Sequence, residues 1–186
     1  ELVIPAKYSW AYPFSEGRAF VIKNDYKELI DTNGNTIVKY KDDLERENFS
    51  DGYAIIRRND KYGYINKSGK VVIKPSSKWY QVESFSEGLA SYWVGPTTFE
   101  NAYGYINKKG KIVIKPSYGQ AFQFSEGLAC VQDGKTYKYG FINKKGKKVI
   151  KCTYDYALSF KNGLACVMKK GKSYMIDKRG KTITIK

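Results

Sequence analysis

The chain has 186 residues, 42% of them hydrophobic, which suffices for a sizeable core and excludes a wholly disordered polymer. Lys and Arg outnumber Asp and Glu by 33 to 18, a formal net charge of +15 that favours anionic partners over basic ones. His is absent, which removes the commonest general base and metal ligand, and three Cys cannot all pair within one chain. No run approaches the ~20 apolar residues of a membrane-spanning helix, and no secretory signal is visible. Glu1 stands where an initiator Met would, as expected of a processed chain or an excised piece.

Read from the start, Leu2-Val3-Ile4-Pro5 resembles the end of a structural unit with no preceding copy. Full units follow. Each is marked by Phe-Ser-acid-Gly: Phe14 to Gly17, Phe49 to Gly52, Phe85 to Gly88 and Phe124 to Gly127, with a weaker copy at Phe160-Lys161-Asn162-Gly163. Successive motif glycines are 35, 36, 39 and 36 residues apart. A second marker, Asn or Asp three residues before Gly, recurs at Asp31/Gly34, Asn66/Gly69, Asn107/Gly110, Asn143/Gly146 and Asp177/Gly180. Two markers sharing one period define a tandem repeat.

Within a unit the predicted elements are strands. After the motif Gly, Ala19, Ala54, Ala90, Ala129 and Ala165 recur, and the residue two further on shares a strand face with each. The small Ala predicts close approach by a neighbouring layer. Tyr62-Gly63-Tyr64-Ile65, Tyr103-Gly104-Tyr105-Ile106 and Tyr139-Gly140-Phe141-Ile142 form a second, aromatic strand. The Asn-x-x-Gly step predicts a type I turn whose Gly takes positive φ, joining a three-residue hairpin with a bulge. A third strand follows at Val71–Ile73, Ile112–Ile114 and Val149–Ile150. A return segment then carries Tyr8, Trp79, Tyr118 or Tyr154 six residues before the motif Phe, which predicts a fourth strand; the second unit has Asp43 there. No segment has helical length and periodicity.

The segment Tyr103-Gly-Tyr-Ile-Asn-Lys-Lys-Gly-Lys-Ile-Val-Ile-Lys-Pro116, with Phe124-Ser-Glu-Gly-Leu-Ala129 beyond it, resembles the WG (KWG) β-repeat of bacteria. The resemblance spans nearly the whole chain in five copies. It departs at the name-giving pair, where Tyr62, Tyr103 and Tyr139 replace Trp, the first unit has Lys27-Glu28 and the fifth has Ser173-Tyr174. It implies an all-β protein with a bacterial source but no single activity, and it leaves the compartment open, export or the cell surface being one option. The expected fold is five antiparallel β-meander repeats of about 36 residues in one repeat domain, with units near 1–38, 39–73, 74–114, 115–150 and 151–186. They stack as an open curved array or are propeller-like. The shared strand type at both ends inclines the reading to an open array.

Strand directions put both recurrent turns on one edge. There Lys108, Lys109, Lys144 and Lys145, with the equivalent lysines of other units, would line up as a basic ridge able to attract a polyanion. A solvated edge is the simpler account of the same charges, and the acids among them read as turn caps or partners for nearby Lys. The periodic aromatics read as core, whereas Trp10 and Trp93 stand outside the repeated slots and are candidates for exposure. An insertion at 95–102 stretches one unit to 22 residues between markers, against 17 in three others, and offers Phe99 as a contact residue. No catalytic set, cofactor site or metal site is expected. Cys130 and Cys166 occupy equivalent positions as small packing residues. The resulting expectation is a noncatalytic repeat-based module or scaffold for binding another protein. The alternatives are a binder of anionic polymers, cell-envelope glycan or nucleic acid, through the Lys-rich edge, and a spacer between domains.

Overall fold

Short β-prone runs alternate with tight turns along the chain, and the computed structural model, which describes residues 4, 6–41, 48–96 and 102–183, pairs them into antiparallel meanders. The chain divides into two compact units, Glu1–Ser84 and Phe85–Lys186. The first holds a sheet of β1 (Trp10–Ala11), β2 (Arg18–Lys23), β3 (Tyr26–Asp31) and β4 (Thr36–Tyr40). A second sheet consists of β5 (Tyr53–Arg58), β6 (Lys61–Asn66) and β7 (Val71–Ser76), and β8 (Gln81–Val82) follows it. The second unit begins with β9 (Leu89–Trp93), β10 (Tyr103–Asn107) and β11 (Ile112–Tyr118). Its next sheet is β12 (Gln120–Ser125), β13 (Leu128–Gln132), β14 (Tyr139–Asn143) and β15 (Lys148–Tyr154). The last is β16 (Tyr156–Ala157), β17 (Leu164–Lys169), β18 (Lys172–Asp177) and β19 (Thr182–Ile183). Among the described residues there is no helix.

The inner strands are buried on both faces, so they read as apolar runs rather than as alternating patterns. Ala129 and Val131 of β13 point back onto Tyr105 and Ile114, while Cys130 between them packs forward with Phe141 against Phe160 and Ala165. In the first unit Ala54 and Ile56 of β5 pack on Phe20 and Leu29 in the same way. The recurrent Ala are buried throughout, as layer contact requires.

Two backbone devices set the register. The first is the Asn-x-x-Gly turn, where Gly69, Gly110, Gly146 and Gly180 take φ of 78°, 71°, 78° and 82°. Asn107 Oδ1 accepts the N–H groups of Lys109 and Lys111, both at 3.0 Å, which explains an Asx residue at its head. The second device is the Gly of the aromatic strand. A Cβ on Gly104 or Gly140 would lie 2.5 or 2.6 Å from the carbonyl oxygen of Ile114 or Ile150, at the point where the pairing with the next strand slips by a bulge.

The second repeat's missing return-segment aromatic is replaced from an unexpected place. Tyr40, at the end of β4, donates its hydroxyl to Gly69 O at 2.8 Å. Tyr118 does the same to Gly146 O at 3.3 Å. Asp43, assigned to that slot on sequence, lies outside the described residues.

Candidate functional site

The Phe-Ser-acid-Gly motif folds as a two-residue hairpin loop with both central residues left-handed: Glu126 has φ 54° and Gly127 has φ 87°. Glutamate is an unusual choice there, since Asn, Asp or Gly tolerate that region better. Its partners explain it. Glu16, Glu87 and Glu126 each reach the following repeat, accepting the motif Gly N–H at Gly52 (3.0 Å), Gly127 (3.0 Å) and Gly163 (2.9 Å). Each also meets the lysine after the turn Asn or Asp of that repeat: Lys67 at 3.0 Å, Lys144 at 3.1 Å and Lys178 at 3.1 Å. The neighbouring serine completes the latch. Ser125 Oγ donates to Phe160 O at 2.6 Å and Ser86 Oγ to Phe124 O at 2.7 Å, while Ser15 Oγ accepts Phe49 N–H at 2.7 Å.

These contacts leave an electrostatic signature. Burial works upward on the Glu16 carboxyl, but the Lys67 ammonium and the Gly52 N–H outweigh it and hold the group below the ordinary glutamate range. Lys178, followed by the Gly163 N–H, lowers Glu126 likewise.

The expected basic ridge is therefore a mixed edge. Lys144 is ion-paired to Glu87, and Lys108 is half-buried at the equivalent place. Lys109 and Lys145 are exposed, each with its backbone N–H on the turn Asn. Of the four lysines, Lys144 is thus engaged in a latch, while Lys109 and Lys145 point into solvent.

Within each sheet the reversal between the first two long strands, β2–β3, β5–β6 and their counterparts, lies at the end away from the latch turn, and aromatic rings lie near several of these reversals. Trp93 is half-buried and stacked on Tyr103, with centroids 6.3 Å apart. Trp10 is exposed beside Tyr12, 6.2 Å away edge-on. Phe99 lies outside the described residues. Beyond these, Phe122, Tyr139 and Tyr156 form a row with centroid spacings of 6.4 and 5.8 Å, and Tyr139 Oη is 3.2 Å from Gln120 Oε1. Phe122, Tyr156 and nearby Leu158 are exposed. Sequence reasoning passed over this row. Its signal is the alternation of the return strand, where Phe122 and Leu158 follow the inward Ala121 and Ala157.

Cys130, Cys152 and Cys166 are free thiols. Burial, reinforced by nearby Cys152, pushes the Cys130 thiol up to about 12, which makes it an unreactive packing group. Among the described residues no group of three or more Cys, Asp or Glu is placed to hold a metal ion, and no helix is long and apolar enough to cross a membrane.

The family described as WG containing repeat matches at residues 1–26, 29–62, 62–92, 103–137 and 139–172. No curated protein matches the sequence. Among solved structures, Hsv2 of Kluyveromyces lactis is similar over 92% of this chain and 62% of its own, with 9% identity and a TM-score of 0.59. Hsv2 of Kluyveromyces marxianus gives 92% and 64%, with 10% identity and a TM-score of 0.56. A eukaryotic initiation factor gives 95% and 54%, with 12% identity and a TM-score of 0.58. The chain thus spans less than two thirds of each of these neighbours, which are β-propellers, and at such identities the likeness is one of fold.

Proposed function

Because the chain belongs to the WG-containing repeat family, in five matched copies, we propose that it is a noncatalytic repeat module that presents an extended edge to another protein. The observation that carries this reading is the ring row of exposed Phe122, half-buried Tyr139 and exposed Tyr156, with exposed Leu158 two residues on. Clustered aromatic rings with polar neighbours such as Gln120 are the chemistry of protein-contact centres. Most other recurrent aromatic residues are buried or latching, whereas Phe122, Tyr156 and Leu158 are displayed to solvent. The latch edge supports the second reading, a polyanion binder, through exposed Lys109 and Lys145 on turns of successive repeats.

Photo-crosslinking from position 122 in source cells separates the two. Protein contact predicts a discrete adduct that survives about 0.5 M salt and is lost in Tyr156→Ser, because ring burial is insensitive to screening. Binding to heparin that vanishes by about 0.3 M salt and requires Lys108, Lys109, Lys144 and Lys145, with no adduct from position 122, would favour the polyanion reading.

A further inference from the structure

The five motif phenylalanines occupy equivalent places, yet their exposures diverge. Phe49, Phe85, Phe124 and Phe160 are 4%, 0%, 1% and 1% exposed, whereas Phe14 is 45% exposed. Three of the buried rings show what covers them. Phe20 stacks on Phe49 at 5.8 Å, Tyr105 meets Phe124 edge-on at 5.0 Å, and Phe141 meets Phe160 at 4.8 Å. In every case the covering ring comes from the sheet before. Over Phe14 there is instead an apolar groove of about 240 Å³ whose lining includes Ile4, Tyr8, Ala19, Val21 and Ile30.

Half of the usual interface is already in place. Ile4 lies 3.1 Å from where a Cβ on Gly34 would be, as Ile114 lies 3.4 Å from that of Gly146 and Ile150 lies 3.5 Å from that of Gly180. Tyr8 Oη donates to Gly34 O at 3.5 Å, matching the Tyr118–Gly146 bond. Ile4 and Tyr8 thus stand in for the outer strand of a covering sheet and pack on the buried Ala19, Val21 and Ile30, and the groove beside exposed Phe14 is the place left for a ring of that sheet's inner strands. A dry cavity of about 150 Å³ can hold a benzene ring, so this one is large enough for an aromatic side chain.

We propose that this groove is a docking site for another sheet of the same repeat class, which places a tyrosine of its second strand over Phe14. Of the second-strand rings, Phe141 has no hydroxyl, whereas Tyr64 and Tyr105 each donate, at 2.7 Å, to the carbonyl two residues before a buried motif Phe, at Glu83 and Phe122, a bond only tyrosine can make. The carbonyl at that place in the first repeat belongs to Tyr12. A leucine of the incoming first strand takes the place of Leu89 and Leu128, which sit in the corresponding clusters. The incoming Ser-Glu-Gly turn then reaches the Phe14 backbone and the Gly17 N–H, as it does at each latch. This site lies apart from the aromatic edge and stands whether or not that edge binds a protein.

The test uses p-cresol, the tyrosine side chain as a free molecule, titrated into the native chain while the methyl resonances of Ala19, Val21 and Ile30 are followed by NMR. Saturable shifts at these methyls are expected. Ala19→Leu, which fills the groove, should weaken them at least tenfold; Phe14→Asp, at an exposed position, provides the same control should Ala19→Leu fail to fold. A second chain, in which a copy of residues 120–149 is joined directly before Ile4, should lose the p-cresol site altogether. Unsaturable shifts, shifts unchanged in both groove variants, or a p-cresol site that persists in the extended chain would overturn the proposal.

Discussion

Phe14 and Phe49 allow the packing argument to be tested inside one compact unit, on the same residue type in the same motif. Phe49 is buried, stacked on Phe20 and surrounded by Leu29, Ala54 and Ile65. Truncation to Ala removes the ring's transfer free energy and leaves a closed void, which costs about 3–5 kcal/mol for a buried phenylalanine. Phe14 keeps nearly half its surface in water, and the space beside it is already a groove. Full burial of such a side chain contributes about 1.5–3 kcal/mol, so Phe14→Ala should cost about 1 kcal/mol and create no new enclosed cavity. Urea unfolding followed by tryptophan fluorescence measures both, because Trp10 and Trp79 lie in this unit. With a slope of about 2 kcal/mol/M, the midpoint of Phe49→Ala should fall at least about 1 M further than that of Phe14→Ala. Equal shifts, or a larger one for Phe14→Ala, would refute the claim that the motif ring is stabilised by the sheet in front of it.

Gly140→Ala should destabilise by about 1–3 kcal/mol, since its Cβ would meet Ile150 O at 2.6 Å and Cys152 N at 2.7 Å; an unchanged calorimetric Tm would show that the bulge can relax. Glu16 and Glu126 have folded-state pKa values below the ordinary one, so their contribution is complete above about pH 4.3 and is lost as pH falls through the lowered values. The acid limb of a Tm-against-pH curve should therefore flatten in a Glu16→Gln, Glu126→Gln double variant, and parallel curves would contradict the latch. Cys130 should resist a thiol reagent at pH 8 in the native chain and react on unfolding, whereas rapid native labelling at this position would contradict its burial.

Much of this architecture was legible in the residues because the repeat prints the same physical requirement five times. Positive φ at Gly110 and Gly146 follows from an Asx turn, and buried Ala129 and Ala165 follow from layers that approach closely. The aromatic strand's Gly was legible as a repeated letter, but its cause, the Ile114 and Ile150 carbonyls, is a cross-strand contact that a linear pattern does not display. The latch was half visible: acids were expected to cap turns or meet nearby Lys, but that Glu87 selects Lys144 depends on how successive repeats lie side by side. Tyr40 substituting for the aromatic missing at Asp43 was hidden for the same reason, since the role moved three residues along the chain while the bond to the turn glycine was kept. The Phe122–Tyr139–Tyr156 row was masked by abundance, because most other periodic aromatics are core.

The left-handed glutamate gives the array a direction. Alone, a Ser-Glu-Gly loop carries a backbone penalty of roughly 1 kcal/mol at its Glu, and what offsets it is a Gly N–H and a lysine that belong to the repeat translated afterwards. A nascent repeat at the end of the growing chain therefore holds its loop loosely until its successor arrives and docks. The coupling energy is shared equally by the two neighbours, but the strain it offsets sits in the earlier one: deleting a later repeat relaxes the loop before it, whereas deleting an earlier repeat leaves the later loop's own conformation supported. Linear arrays are commonly treated as symmetric nearest-neighbour systems. Here the described latches at Glu16, Glu87 and Glu126 are all fastened from the C-terminal side, so each of these loops is set only once the next repeat has been made.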